Sequence, residues 1–573
     1  MPLSPYYSLW LPATPGRLLS MSTVDLVIVV SYFILVLLIG FYLKRYANTG
    51  EDFFLAGRQM TAWVAGLSFI SANLGSLETM GYAAATYQHG LVIAHAYFIG
   101  AIPAILFLAM VMMPFYYASK THSVPGYLRL RYGEPTRAVS SVTFAVMTIL
   151  MSGINMFSMA KVMQVILGWD FNVSMWVSSL TVAVYVMLGG LLSAIFNEVL
   201  QFFLIWLGSL LIPILGLIEA GGWNNLVARI HERFPGQDFT HLWRNMGSFT
   251  DNPMGLDWIG VVLGWGLAIS FGYWTTDFLV VQRVLAAKDL RSAQLGTILG
   301  AGLKMMVPLI VILPGLLGLA VLPMGLVSEP EAIRTGAHSF NEVLPLMLAR
   351  YCGPGLLGLG VTALIAGFMS GMAGNVSAFA TVWTYDIYRA LIRKDADDRH
   401  YVKMGRWCSI LGVFASIGTA YLVMFFDNII AYAQVIFIFG IVPQFATILL
   451  GMLWKRTTPK GGFYGLLAGT ATSIVLFAWV RLDPSALKYV AFYERASEMA
   501  DNIYRAFWCL LATVLVTVVV SLCTKPKPES ELKNLVYGFT EIPREKGLRL
   551  IQRPGFWAAV MGAIFVVVNV VFW

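Results

Sequence analysis

The chain carries little charge. Only 12% of its 573 residues are Asp, Glu, Lys or Arg, whereas a soluble globular protein usually carries about 25%. Hydrophobic residues make up 58% of the chain. A deficit of this size over this length excludes a soluble enzyme and a disordered protein. It predicts an all-α polytopic membrane protein.

Cysteine is also scarce, and the common catalytic motifs are missing. The 4 cysteines are Cys352, Cys408, Cys509 and Cys523. Their spacing fits no metal site, so we interpret them as small core hydrophobes and expect no transition metal. The sequence contains no phosphate loop, HExxH, Cys-x-x-Cys or nucleophile elbow. We therefore expect no cofactor, no enzymatic activity and no ATP-driven step on this chain.

Long apolar runs dominate what is present. A membrane-spanning helix needs about 20 mostly apolar residues, and about fourteen segments meet this requirement. Their approximate bounds are 24–43, 62–87, 92–117, 138–168, 174–192, 197–220, 258–282, 294–324, 356–385, 407–426, 429–454, 461–480, 503–523 and 555–573. The polar pieces between them are only loop-sized, so no soluble domain is expected.

The positive charge follows the predicted topology. Most of the 38 Lys and Arg, including Arg283 directly after span 258–282, lie in loops that alternating spans place on one side. By the positive-inside rule this side is cytoplasmic and both termini are outside. The net charge of +8 thus marks orientation, and we expect no nucleic-acid partner because DNA binding needs one contiguous basic face. Residues 1–20 lack the pattern of a signal peptide, and either Met1 or Met21 is the start.

Span 62–87 is interrupted by polar residues. It contains SFISANLGSLETMG, which places Asn73, Gly75 and Glu78 near its middle. Polar and ionisable groups at this depth are costly and usually functional. Helix packing through small residues explains Ser and Gly but not Asn73 together with Glu78. We predict a broken helix, because transporters bind ions and solutes at such breaks.

A second interruption is predicted in span 258–282. Here Ser270 and Gly272 are followed by Tyr273 and Trp274, and then by Asp277. The two aromatic residues also suit a membrane-interface belt. Matching interruptions in two halves of a chain indicate an inverted-repeat transporter.

Three further positions are candidates for an ion or solute path. Glu198 opens span 197–220, where it is either an ion relay or an acid stabilised by a helix N-terminus. Lys304 either binds solute, pairs with a carboxylate or extends to the membrane surface. Lys161 also lies inside a span, and the sequence assigns it no role.

Several separate motifs resemble the sodium–solute symporter family, above all its sodium–glucose and sodium–galactose cotransporters. They are FFLAGRQM (53–60), SVPGYLRLRYG (123–133), YVMLGGLLSAIFNEVLQ (185–201), VVQRVLAAKDLRSAQLG (280–296) and ATVWTYDIY (380–388). The resemblance implies a leucine-transporter-type 5+5 inverted repeat with flanking helices. It divides the chain into an external segment (1–23), an extra helix (24–43), two five-helix repeats (62–220 and 258–454) and C-terminal extra helices (461–573).

The resemblance also implies a sodium site. By local matching, its residues are Ser71, Leu74, Gly367, Ser370 and Gly371. The family usually has two adjacent serines where this chain has Ser370 and Gly371, so one hydroxyl ligand is missing. Glu198 takes the place of the family's aspartate on the ion path.

The solute site implied by the resemblance is only partly kept. Its expected residues are Asn73, Glu78, Tyr97, Ser270, Tyr273, Trp274, Lys304 and Gln434. Glu78 replaces a Gln or His, and Ser270 replaces an Asn. A sugar-binding Glu is expected near Tyr97 and is absent there.

These patterns together predict a secondary active transporter. We expect sodium-coupled symport of a small polar solute, with a sugar or polyol favoured, by alternating access. The protein is expected to be a monomer in the plasma or inner membrane, with solute, Na⁺ and the lipid bilayer as its partners. Three alternatives stay open: proton-coupled transport, cation-independent transport of another organic solute, and a channel or ligand sensor on the same fold.

Overall fold

A computed structural model describes residues 21–43, 56–121, 123–540, 547 and 549–573. Over these ranges the chain is helical, with two isolated β-bridges and no strand. The predicted all-α architecture is confirmed. Predictions on residues 1–20 and 44–55, which include most of the external segment and the start of FFLAGRQM, lie outside the described residues.

The helices are numbered in chain order. They are α1 (Thr23–Leu43), α2 (Ala62–Asn73), α3 (Tyr82–His89), α4 (Ala96–Ala118), α5 (Val124–Tyr132), α6 (Glu134–Leu167), α7 (Phe171–Ser209), α8 (Leu211–Ala220), α9 (Trp223–Arg233), α10 (260–276), α11 (Phe278–Leu285), α12 (Leu290–Val321), α13 (Glu329–Thr335), α14 (Val343–Tyr351), α15 (Leu356–Ile392), α16 (Asp398–Phe425), α17 (Ile429–Leu453), α18 (Pro459–Leu482), α19 (Leu487–Val490), α20 (Glu498–Cys523) and α21 (Pro554–Val571).

Within the described ranges, 11 helical segments are long and apolar enough to cross a membrane. Spans 62–87 and 258–282 are not among them because each is interrupted. Helix α7 is one continuous helix of 39 residues, whereas the sequence predicts two separate spans in this region. No proline interrupts residues 171–209, so nothing local ends this helix. The exact span number and the repeat stay predictions.

The first predicted break is present. Helix α2 ends at Asn73, and Leu74 leaves the helical conformation with φ −74° and ψ 43°. A wide helical turn, Leu77–Gly81, then leads into α3. A Cβ atom added to Gly75 would lie 2.8 Å from Asn155 Oδ1, so only glycine fits here. The broken helix therefore passes very close to α6.

The second break lies later than predicted. Ser270 and Gly272 remain helical, and the chain leaves the helix at Asp277, which has φ −68° and ψ 114°. The Asp277 carboxylate accepts a hydrogen bond from the Leu279 amide at 2.8 Å, capping α11. An extended residue with a capping carboxylate ends one helix and starts the next, which explains why Asp277 is the breakpoint.

Helix α15 forms the centre of the helix bundle. It packs against α6, α7, α1 and α2, and 89% of its most apolar stretch is buried. The corresponding stretches of α1 and α18 are each 22% buried, and that of α21 is 0% buried. The flanking helices thus present apolar side chains outward, as a lipid environment requires.

Candidate solute and sodium sites

One internal cavity contains all the predicted solute-site residues. It lies between the broken helix, α4, α10, α12 and α17. The predicted residues that line it are Asn73, Glu78, Tyr97, Ser270, Tyr273, Trp274, Lys304 and Gln434. Residues up to 361 positions apart in sequence therefore meet at one place. The polar residues within apolar spans and the positions implied by the family resemblance therefore lie together in the structure.

Lys304 and Glu78 form a buried ion pair at the cavity. The Lys304 Nζ atom lies 2.9 Å from Glu78 Oε2, and both side chains are almost fully buried. Nζ also donates a hydrogen bond to Asn73 Oδ1. It lies 5.0 Å from the centroids of the Tyr97 and Trp274 rings, close enough for cation–π attraction. Of the three interpretations of Lys304, extension to the membrane surface is wrong.

Tyr97 replaces the glutamate expected near its position, but a carboxylate is still present. The Tyr97 hydroxyl donates a hydrogen bond to Glu78 Oε2. Glu78 thus supplies from the broken helix the negative charge that the family resemblance places near Tyr97. The cavity holds one buried cation and one buried anion, so its charge is balanced.

Tyr273 closes one side of the cavity. Asn73 Nδ2 donates to the Tyr273 hydroxyl at 2.8 Å, which links the first break to α10. The Tyr273 ring lies 5.0 Å from Phe437 and 5.2 Å from Trp274. Ser270 faces α4, because a Cβ atom on Gly100 would lie 2.3 Å from Ser270 Oγ.

Gln434 is the cavity residue with spare hydrogen-bonding capacity. Its side chain is buried, and its Oε1 atom has no hydrogen-bond partner among the described residues. Such an atom can accept a hydrogen bond from a solute or a water. The cavity volume is about 40 Å³, room for about three waters. The site is therefore closed around its own side chains in this conformation.

The predicted sodium-site residues also come together, where α2 ends beside α15. Ser370 Oγ donates to the Ser71 carbonyl at 3.0 Å and lies 3.4 Å from Ser71 Oγ. A Cβ atom on Gly367 would lie 2.7 Å from the Leu74 carbonyl oxygen. Two backbone carbonyls and two hydroxyls thus converge, and hydroxyl and carbonyl oxygens suit a small hard cation.

Asn155 occupies the place of the missing second serine. A Cβ atom on Gly371 would lie 2.8 Å from Asn155 Oδ1. This oxygen accepts hydrogen bonds of 3.0 Å from both the amide and the hydroxyl of Ser76, which satisfies donors freed by the helix break. The sequence interpretation missed Asn155, although an amide inside the apolar run MSGINMFSM is a visible signal.

Glu198 is held by an arginine that the sequence assigned to a loop. Arg283 Nη2 lies 2.5 Å from Glu198 Oε1, and both side chains are fully buried. Ser68 Oγ donates to Glu198 Oε2. Glu198 lies inside α7, so its interpretation as a helix N-terminal acid is wrong. Arg283 joins α7 to α11, and its counting as a loop charge is wrong as well.

Lys161 belongs to a separate cluster far from the cavity. Its Nζ atom lies 2.9 Å from Glu329 Oε1 and 3.0 Å from Glu342 Oε1. His338 lies within hydrogen-bonding distance of Glu342, and Asn341 Nδ2 donates to Glu329 Oε2 at 2.9 Å. Lys161 therefore connects α6 to the segment 329–342. The sequence could not show this because the partners are more than 160 residues away.

Comparison with known proteins identifies the family of this chain. A sequence model of the sodium:solute symporter family matches residues 53–469. The chain belongs to this family. Members of the sodium:solute symporter family are transporters rather than enzymes, and this chain is a multi-pass membrane symporter that couples a solute to sodium.

Named relatives of this symporter include several cotransporters. The zebrafish (Danio rerio) sodium/glucose cotransporter 4 is 29% identical, covering 95% of this chain and 85% of its own length. The dog (Canis lupus familiaris) sodium/myo-inositol cotransporter is 30% identical over 90% of this chain and 76% of its own. The bovine (Bos taurus) sodium/mannose cotransporter is 28% identical over 98% of each chain.

One solved structure shares the fold of this symporter. A Na⁺-coupled sialic acid symporter, in a substrate-bound outward-open state, superposes with a TM-score of 0.70. It is 18% identical in sequence, and the match covers 88% of this chain and 99% of that one. The predicted transporter fold is therefore confirmed, while identity this low says nothing about solute.

Proposed function

We propose that this symporter carries an uncharged polyhydroxylated solute, a sugar or polyol, with Na⁺. The observation that carries the proposal is the charge-balanced pair of Lys304 and Glu78 at the cavity. A charged solute would leave an unbalanced charge in a buried site, which is costly. The glucose, myo-inositol and mannose named for the relatives are all uncharged polyols.

The remaining polar groups of the cavity can form hydrogen bonds with the hydroxyls of such a solute. Gln434 offers an acceptor without a partner, and Lys304 offers a donor that now binds the Asn73 side-chain oxygen. Tyr273 and Trp274 offer apolar ring faces, against which the C–H face of a sugar packs. We assign all eight predicted lining residues to this solute site.

For sodium we propose the carbonyls of Ser71 and Leu74 and the hydroxyl of Ser370 as ligands. Gly367 and Gly371 allow the close approach of α15 to the broken helix. Asn155 supports this arrangement by holding Ser76, so a second serine on α15 is not needed to order the break. Glu198 is already bound by Arg283, which favours an ion-path role over that of a proton carrier.

Coupling follows from the shared helix end. Ser71 and Asn73 are two residues apart in the last turn of α2. Sodium bound at the Ser71 and Leu74 carbonyls would fix this turn and so hold Asn73 in position for solute. By linkage, each ligand then raises the affinity of the other by the same factor.

We further propose the cellular arrangement predicted by the charges. The symporter lies as a monomer in the plasma or inner membrane with both termini outside. Residues 62–220 and 258–454 form the two repeats, with flanking helices at 24–43 and 461–573. The charge pattern assigns Lys460, at the start of α18, and Lys488, in the short helix α19, to opposite sides. Accessibility labelling of single cysteines at these two positions tests this orientation.

Uptake into proteoliposomes tests the function. Labelled myo-inositol, glucose and mannose are offered with an inward sodium gradient, and we expect concentrative uptake of at least one. Proton-gradient and no-gradient arms distinguish the other coupling modes. Uptake without accumulation would indicate a channel, and no uptake of any polyol would contradict the proposal.

Two variants locate the sites. Ser370→Ala should raise the sodium concentration for half-maximal uptake about tenfold, the loss of one hydrogen-bonding ligand. Ser377→Ala, two turns along the same helix and also buried, is the matched control and should leave it unchanged. Glu78→Gln should alter which polyol is preferred, and an unchanged preference would remove Glu78 from the solute site.

A further inference from the structure

A deep cleft lies on the Lys- and Arg-rich side of the molecule, apart from the solute and sodium sites. It is formed where α4 ends, α5 and α6 begin, and α15 ends. Its volume is about 730 Å³, far larger than the solute cavity.

The cleft is strongly basic. Its charged lining consists of five basic side chains and two carboxylates: Lys120, Arg129, Arg137, Arg389, Lys394, Glu134 and Asp386. Loops on this side are basic for topological reasons, but topology does not require the charges to face one cleft. Basic groups around a concave surface reinforce each other's field and favour an anion.

The floor of the cleft is built from buried polar groups. Arg137 is 1% exposed, and although its Nη2 lies 2.6 Å from Glu134 Oε2, its Nη1 has no hydrogen-bond partner in the described part of the chain. Asp386 is buried and accepts a hydrogen bond of 2.5 Å from Ser123 Oγ. A buried guanidinium with donors to spare is suited to bidentate binding of phosphate.

The rim carries basic side chains that are available for a ligand. Lys120, Arg389 and Lys394 are exposed, and within the described ranges none of the three forms an ion pair with a carboxylate. Arg389 is positioned by the Tyr385 and Tyr401 rings, 5.7 and 5.2 Å away. Two residues further along α15, the apolar residue Leu391 is 59% exposed and also lines the cleft.

We propose that this cleft binds a phosphate-bearing anion, with Arg137 at the floor and Lys120, Arg389 and Lys394 at the rim. Basic groups beside an exposed apolar residue at the membrane boundary suit a phospholipid headgroup, whose leaflet is anionic on the cytoplasmic side. A soluble phosphate compound presents the same chemistry. Because α15 also carries Ser370, an occupied cleft would stabilise the end of a helix that holds the sodium site.

The experiment uses the purified full-length protein in neutral detergent. Its thermal unfolding midpoint is measured with dioleoyl phosphatidic acid, with dioleoyl phosphatidylcholine, and with inorganic pyrophosphate or sulfate at equal ionic strength. A ligand that binds only the folded state raises the midpoint. The triple variant Lys120→Gln/Arg389→Gln/Lys394→Gln is compared with Lys403→Gln/Lys460→Gln/Lys525→Gln, which removes three exposed positive charges elsewhere on the same side.

Phosphatidic acid is expected to raise the midpoint more than phosphatidylcholine. The concentration for half the shift should increase at least tenfold in the cleft variant and stay within twofold in the control variant. A pyrophosphate shift that exceeds the sulfate shift and is lost in the cleft variant supports a soluble phosphate source. Equal responses to all anions, or equal losses in both triple variants, overturn the proposal.

Discussion

Two lysines are buried among the helices of this symporter, and they are used differently. Lys304 meets one carboxylate, one amide and two aromatic rings at the solute cavity. Lys161 meets two carboxylates, Glu329 and Glu342, at the far end of α6. Both are almost fully buried, so burial alone does not separate them.

The difference lies in how completely each ammonium is satisfied. Around Lys161, two carboxylates that are themselves bound by His338 and Asn341 form a closed network. Around Lys304, the partners Asn73 and Tyr97 are neutral, and a solute hydroxyl can replace them with little loss. We infer that Lys161 fastens a segment, whereas Lys304 exchanges partners during transport.

The largest expected effect is that of Lys304→Met. It leaves the Glu78 carboxylate buried without a cation, which costs about 3–5 kcal/mol. A solute hydroxyl also loses its hydrogen bond to the ammonium, which costs up to about 3 kcal/mol. Because about 1.4 kcal/mol is a factor of ten, sodium-driven uptake should fall about 100-fold. The measurement is initial uptake rate in proteoliposomes at equal protein density.

A double variant separates folding from binding in that experiment. Lys304→Met/Glu78→Gln removes both charges, so thermal stability should return toward that of the parent while uptake stays lost. Recovery of uptake in the double variant would mean that the pair only stabilises the fold.

Lys161→Met should lower the stability of the protein and leave its transport almost unchanged. Two carboxylates are left without their cation, so the free energy of unfolding should fall by about 3 kcal/mol. The solute concentration for half-maximal uptake should stay within twofold of the parent. Thermal unfolding and uptake kinetics on the same preparation check this, and a fall in uptake rate as large as that of Lys304→Met would refute the distinction.

Replacing each lysine by arginine should have smaller effects, and these effects should differ clearly between the two sites. At Lys161, a guanidinium can donate to both carboxylates, and we expect a stability change below about 1 kcal/mol. At Lys304, the larger group must fit beside a cavity of about 40 Å³, and overpacking costs about 1–3 kcal/mol. Uptake by Lys304→Arg should therefore fall about tenfold, measured beside Lys161→Arg.

The smallest expected effect is a pH dependence. Burial alone would raise the pKa of Glu342, but the hydrogen bond from His338 and the charge of Lys161 outweigh it and hold the pKa below its ordinary value of 4.5. A lowered pKa in the folded state stabilises above the ordinary value, and this is lost as the pH falls through the lowered value. The stability difference between the parent and Glu342→Gln should thus shrink as the pH falls below 4.5, with no change expected at higher pH.

Local sequence patterns predicted much of this molecule. The apolar runs predicted an all-helical membrane fold, and the polar interruption around Gly75 predicted the first helix break. The second break was predicted too early, at Ser270 and Gly272, because serine and glycine suggested an interruption there. In the structure the helix ends at Asp277, where the backbone is extended and the carboxylate caps the next helix. Serine, glycine and aspartate can each interrupt a helix, and composition does not show which of them does so.

The candidate sites were predictable where polar residues lie deep in apolar spans. The partners that complete them were not. Arg283 follows a span and so resembled a loop charge, although Glu198 draws it into the interior. Asn155 is uncharged, and its role exists only because Gly75 and Gly371 leave room for its side chain. Such complementarity arises between distant helices, and no single stretch of sequence carries it.

The small volume of the closed cavity has a consequence for measured affinity. A polyol is larger than the space that about three waters occupy. It therefore binds only the fraction of molecules in which the cavity is already open. The apparent dissociation constant is then the intrinsic one divided by that fraction. A substitution that shifts the population toward the open form would strengthen apparent binding without touching a single residue of the cavity.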